Sequence, residues 1–115
     1  MPLDYVQVVT SVGERGSQTV LRLLGPLGAH TVFEFQDAVR ANASDVLIVD
    51  FSGASHIDSA GLGALVGAYV GAKRARRKFA IAGLNDQVKT LLAMTHLGEL
   101  FPTYASVRDA EVGIF

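Results

Sequence analysis

The order of strand-like and helix-like segments predicts an α/β fold: a mixed β-sheet of four to five strands with about four helices packed mainly on one face. Three observations carry this expectation. Val46-Leu47-Ile48-Val49 is a continuous β-branched and aliphatic run ended by Asp50, the pattern of a central strand buried on both faces. A long helix-like stretch and a second apolar run, Phe79-Ala80-Ile81-Ala82, follow it. That makes a strand-helix-strand unit, which calls for parallel strands and a right-handed crossover. Ahead of both, two segments rich in Val and Leu flank a polar turn, which reads as an antiparallel hairpin at the sheet edge.

The hairpin strands are expected over residues 5–12 and 19–24, joined by Gly13-Glu14-Arg15-Gly16-Ser17. Gly25-Pro26-Leu27-Gly28 should end the second strand, because proline cannot donate to a ladder and glycine permits a change of direction. Residues 31–40 read as a helix with Thr31 and Glu34 at capping-box spacing and Phe35, Ala38 and Val39 on one face. After the central strand, residues 52–56 read as a turn. The stretch from Ser59 to about Arg77 has the length and aliphatic content of a helix despite its glycines. Gly63, Gly67 and Gly71 recur every four residues, which predicts one glycine face packed closely on the sheet. Gly83 closes the next strand, and Asn85 caps a helix carrying Val88, Leu91, Leu92 and Thr95 at helical spacing. Residues 97–102 end that helix. A short extended piece near Tyr104 precedes a last helix, with Ser106 and Asp109 at capping-box spacing and Val107 and Ala110 on its apolar side. Phe33, Phe35, Phe79 and Phe101 are expected in the core.

Length and composition predict a single domain over residues 1–115, with half of its residues hydrophobic and enough chain to bury a core without metal or disulfide staples. There is no cysteine, which excludes a disulfide framework, a thiolate nucleophile and a zinc-cysteine site. The first residues have neither a basic nor an apolar leader region, so a cytoplasmic location and no secretory signal are expected. The most apolar run, residues 62–72, is well short of the roughly 20 residues that span a bilayer, so no membrane insertion is expected. The formal net charge is −1, yet five of the ten Lys and Arg residues fall at Lys73, Arg74, Arg76, Arg77 and Lys78. Without aromatic interleaving, this knot reads as a solvated helix end complementing the helix dipole rather than a nucleic-acid surface.

Chemistry concentrates in His56-Ile57-Asp58-Ser59-Ala60-Gly61-Leu62-Gly63, where strand signal gives way to helix. A hydroxyl and a carboxylate at a helix start sit among unsatisfied backbone N–H groups, which suits a cap, a phosphate or a docking partner. A hydrolase built from Ser59, His56 and Asp58 is disfavoured. A working triad converges from distant segments, and no Gly-x-Ser-x-Gly elbow is present. His30 and His96 stand alone, so neither a metal site nor a general base is indicated, and no phosphate-binding glycine loop of the G-x-x-x-x-G-K type occurs. No catalytic residue, cofactor or metal is expected.

The stretch from the 46–49 strand through Asp50-Phe51-Ser52-Gly53-Ala54-Ser55 to Gly63 resembles the central strand, turn and helix start of STAS domains (sulfate transporter and anti-sigma factor antagonist), and most closely those of bacterial anti-sigma factor antagonists. That resemblance implies a small cytoplasmic switch protein of transcription regulation, not an enzyme. It implies that a hydroxyl in the turn Asp58-Ser59-Ala60-Gly61 is phosphorylated by an anti-sigma factor with serine kinase activity, and that a metal-dependent serine phosphatase reverses this. The unphosphorylated form would bind the anti-sigma factor and release the sigma factor. Ala60 leaves Ser59 as the hydroxyl within the motif. By the same resemblance His56, Asp58, Ser59, Ala60, Gly61 and Leu62 form the partner-binding surface. Members of this subgroup often carry a Gly-Glu-Leu-Asp type sequence after the second strand; here Gly25-Pro26-Leu27-Gly28 lacks both carboxylates, which implies a different contact set. The alternative keeps the fold and makes the domain a non-phosphorylated scaffold, beside a transporter or within a stress complex, with Ser59 structural.

Overall fold

The computed structural model describes residues 7–12, 17–42 and 44–114. Its strands are β1 (Gln7–Val12), β2 (Gln18–Leu27), β3 (Val46–Ile57), β4 (Lys78–Ala82) and β5 (Thr103–Tyr104). Its helices are α1 (Val32–Ala41), α2 (Ser59–Arg74), α3 (Asp86–Thr95) and α4 (Val107–Gly113). The strands form one sheet in the order β1-β2-β3-β4-β5, with β1 antiparallel to β2 and each later pair parallel. The expected mixed sheet, edge hairpin and central strand are therefore present. Tyr5 and the hairpin turn at 13–16 lie outside the described residues.

Because successive strand residues point to opposite faces, a central strand covered on both sides must be apolar at every position. Leu47, Val49 and Phe51 of β3 join Leu21, Leu23, Phe79 and Ile81 in the larger core, which Phe35, Leu62, Leu65, Val88 and Leu92 of α1, α2 and α3 cover. Val46 and Ile48 point the other way and join Val20, Ala80 and Ala82 under Ala110 of α4. Burying each of the larger side chains contributes roughly 1.5–3 kcal/mol.

The structure departs from the sequence expectations where polar residues sit on extended backbone. β3 does not end at Asp50 but continues through residues 52–56 to Ile57. Phe51, Ala54 and Ile57 stay buried there while Ser52, Ser55 and His56 face outward. β2 likewise runs through Gly25-Pro26 to Leu27, pairing Gly25 with Ala54 and Leu27 with Ile57 across a register shift. Pro26 lies two residues beyond Leu24, the β2 residue paired with Gln7 at the start of the described part of β1. Gly25 takes a φ of 104°, which a side chain would resist.

α2 stops at Arg74 rather than Arg77; Ala75 caps it and Arg76 turns the chain with a left-handed φ of 58°. Gly63, Gly67 and Gly71 do not pack on the sheet: a Cβ built on any of them would meet nothing within 4 Å. These three exposed glycines leave α2 less stable by about 1 kcal/mol each than alanine would. The residue that approaches the sheet is Gly61, where a Cβ would collide with the Leu27 carbonyl oxygen and stand 2.9 Å from Ile57 Cγ1. Phe33 is also misplaced by the sequence reading, since it is 68% exposed, whereas Phe35, Phe79 and Phe101 are buried.

Candidate functional site

The site is built where β3 runs out and α2 begins, alongside the loop joining β2 to α1. Asp58 is the N-cap of α2, with extended backbone and a carboxylate that accepts from Gly61 N at 2.9 Å. Its other oxygen accepts from Ala29 N at 3.3 Å, and its own N–H donates to the Leu27 carbonyl at 3.2 Å. One aspartate thus ties the first turn of α2 to the neighbouring loop. A Cβ on Gly28 would stand 2.6 Å from Asp58 Oδ2, so the close approach of the two segments needs glycine there. The hydrogen bond from the Gly61 N–H above all holds the Asp58 carboxyl below its usual value; burial opposes it, and the Ala29 and Ala60 N–H groups and the nearby His56 add to the lowering.

Ser59 occupies the first helical position, and both it and Ala60 are exposed. No described residue holds the Ser59 hydroxyl. His56 is exposed beside them, while Gly61 and Leu62 are buried. The sequence-predicted residues therefore divide by position. His56, Asp58, Ser59 and Ala60 form the accessible surface, and Gly61 and Leu62 seat the helix on the sheet beneath it. A shallow cavity of about 110 Å3, lined by Pro26, Gly28, Ala29, His30, Thr31, His56 and Asp58, lies on the same edge.

Some supporting residues are not legible from the motif. Gln87 of α3 accepts from Ile57 N at 3.0 Å and donates to the Ile57 carbonyl at 3.2 Å, replacing a neighbouring strand at the last residue before the cap. Asn85 accepts from Val88 N, as the sequence predicts for a cap, and its amide also donates to the Ala54 carbonyl at 3.1 Å. Thr31 does not close a capping box with Glu34. Its hydroxyl accepts from Gly28 N at 2.8 Å and donates to the Pro26 carbonyl at 2.9 Å, folding the loop against the site. Asp50 is not part of the cluster: it pairs with Arg22, well up the strand from Ile57, which pairs with Leu27. It accepts from Ser52 N at 2.9 Å instead.

The arrangement offers an exposed hydroxyl and a committed carboxylate. Both Asp58 oxygens accept from backbone N–H groups, and among the described residues no hydrogen bond joins the side chains of Ser59, His56 and Asp58 into a relay. Among the described residues no group of three or more His, Asp or Glu side chains is placed to hold a metal ion. No helix among them is long and apolar enough to cross a membrane.

A family model for the STAS domain matches residues 7–110. The chain belongs to the STAS domain family. Solved structures repeat this STAS fold at low identity. An anti-sigma factor antagonist from Mycobacterium paratuberculosis is 19% identical, with a TM-score of 0.84, covering 96% of this chain and 95% of the other. SpoIIAA, an anti-sigma factor antagonist in its unphosphorylated form, is 21% identical with a TM-score of 0.74, covering 90% and 92%. SLC26A9 matches with 16% identity and a TM-score of 0.76 over 93% of this STAS domain but only 23% of its own length. At these identities the likeness is one of fold.

Proposed function

We propose that this STAS domain is an anti-sigma factor antagonist: its unphosphorylated form binds an anti-sigma factor with serine kinase activity and so releases a sigma factor, and phosphorylation of Ser59 ends that binding. The observation that carries the reading is an exposed hydroxyl at the first position of α2, beside a carboxylate fixed by two backbone N–H groups. A phosphate there adds about −1.5 to −2 charge. The helix N-terminus favours it by about 0.3–1 kcal/mol, while Asp58 next to it opposes it. The two effects are comparable, so the fold itself changes little.

At a docked interface the balance differs. A charge buried without a partner costs about 3–5 kcal/mol, roughly a hundredfold or more in affinity. One modification therefore switches binding without refolding the domain, and a serine phosphatase resets it. Such a protein needs no chemistry of its own and acts where the sigma factor does, in the cytoplasm. The experiment is incubation with ATP, magnesium and an anti-sigma factor kinase from the same genome, followed by mass spectrometry. One phosphate on Ser59 is expected, with Ser59→Ala unmodified and binding constitutively and Ser59→Asp binding at least a hundredfold more weakly. Equal affinity of all three forms for that kinase overturns the proposal.

A second reading, a scaffold docking through the same surface without phosphorylation, draws on the resemblance: Gly25-Pro26-Leu27-Gly28 lacks the carboxylates that members of the subgroup often carry after the second strand. It predicts no phosphate on Ser59 in the same experiment.

A further inference from the structure

A cavity of about 270 Å3 lies at the end of α2 away from Ser59, where the first residues of β4 meet the loop that leads into β5. Three cations line it, Lys73, Arg77 and Lys78, together with two phenols, Tyr69 and Tyr104, and the apolar side chain of Leu100. No carboxylate is among its lining residues. In the sequence the basic knot stands without interleaved aromatic residues; the fold brings Tyr69 to it from one turn earlier in α2 and Tyr104 from β5.

The cations are held in place. Lys73 Nζ stands 5.8 Å from the centre of the Tyr69 ring, and that ring is itself fixed edge-on against Phe79 and Phe101. Arg77 donates through Nε to the Ser44 carbonyl and through Nη2 to the Asn42 carbonyl, which orients the guanidinium and leaves its remaining N–H donors for another acceptor. Lys78 Nζ donates to the Ile114 carbonyl at 3.1 Å. Among the described residues neither Lys73 nor Arg77 forms an ion pair with a carboxylate, so both charges are oriented without being neutralised. The negative end of the α2 dipole, which would repel an anion, is closed off: the carbonyls of Gly71, Ala72 and Lys73 accept from the N–H groups of Ala75, Arg77 and Arg76.

We propose that this cavity binds a small organic phosphate, a phosphate monoester carried on a single ring. The phosphate, with about −1.5 to −2 charge and three acceptor oxygens, meets Lys73, Lys78 and the remaining donors of Arg77. A carboxylate, with a single charge, compensates these cations less fully. The ring covers Leu100, a large apolar side chain left 37% exposed, and packs against Tyr104. The volume lies below the roughly 300–1,000 Å3 of pockets for drug-sized ligands, which limits the body to about one ring. The site is at the opposite end of α2 from Ser59 and does not depend on the proposed switch.

Heteronuclear NMR titration of the purified chain with phenyl phosphate tests this. Saturable shifts are expected at the amides of Lys73, Arg77, Lys78, Leu100 and Tyr104 and not at Ser59, with a dissociation constant of about 1 mM or tighter that weakens severalfold at about 0.5 M salt. Phenol, which keeps the ring, and inorganic phosphate, which keeps the charge, should each bind at least about fivefold more weakly. Lys73→Gln should weaken phenyl phosphate binding about threefold and Lys73→Glu at least about tenfold, with the circular-dichroism spectrum kept because the side chain is exposed. Should the Lys73 variants misfold, Leu100→Glu carries the same test on the apolar wall and should weaken binding at least about fivefold. Absence of saturable shifts up to about 20 mM phenyl phosphate overturns the proposal. So does wild-type affinity in Lys73→Glu or Leu100→Glu, equal affinity for inorganic phosphate or phenol, or a set of shifts centred on Ser59.

Discussion

Asp58 joins two loops with one carboxylate, and its substitution separates the contributions of cap and charge. Asp58→Ala removes the acceptor for Gly61 N and should cost about 1 kcal/mol, whereas Asp58→Asn keeps a capping oxygen and should cost only a fraction of that. Thermal denaturation reads the difference as a shift of about 4–8 °C per kcal/mol for a domain of this size. The lowered pKa fixes the sign of a pH effect. A carboxylate that is more acidic folded than unfolded contributes stability that is fully present above the ordinary value of about 3.9 and is lost as pH falls through the folded value. The wild type should therefore lose stability on acidification more steeply than Asp58→Asn, and equal slopes would contradict the assignment. Much of this site was legible because an N-cap is a local device: its donor lies three residues away. Gln87 was not, because it reaches Ile57 across 30 residues of sequence and nothing in its own helix pattern distinguishes it.

At the scale of elements, the glycines of α2 separate into two kinds that look identical in sequence. Gly61→Ala drives a methyl group into the Leu27 carbonyl and should cost about 1–3 kcal/mol. Gly63→Ala and Gly71→Ala enter open space and should each raise stability by about 1 kcal/mol through helix propensity alone. Urea denaturation of the three variants checks both signs together. Four-residue spacing shows only that glycines share a helix face; which face the core takes depends on residues elsewhere, here Leu62, Leu65, Ala68 and Ala72. The length of β3 was hidden for a related reason. Ser52, Ser55 and His56 are turn-like in composition, yet β2 beside them supplies a ladder that keeps the backbone extended to Ile57 through two register shifts. The basic knot is likewise split by structure. Arg77 donates to the carbonyls of Ser44 at 2.5 Å and Asn42 at 2.8 Å, tying down the connection from α1 to β3, while Arg74 remains at the surface.

For the whole molecule, the fold and the proposed switch are separable. The edge hairpin, the central position of β3 and the parallel crossovers follow from where apolar runs and helix-period segments alternate, which is why those parts of the architecture could be read before the geometry. The helix count and the coverage of the sheet also followed, with α4 the one described helix on the second face. If the modification acts only at an interface, phosphorylated and unphosphorylated proteins should melt within a few degrees of each other, since the opposing dipole and charge effects are each about 1 kcal/mol or less. The pairing pattern of β3 has a further consequence. β4 supports β3 only from Val46 to Asp50, whereas β2 continues to Ile57. The last part of β3 is a cantilever, held by β2 along one edge and clipped by the side-chain amides of Asn85 and Gln87 along the other. Amide hydrogen exchange should reveal this mechanical gradient: the Ile57 amide should exchange faster in Gln87→Ala, while those of Leu47 and Val49 stay protected, so the strand tip bearing the proposed docking surface can loosen while the core at its root stays closed.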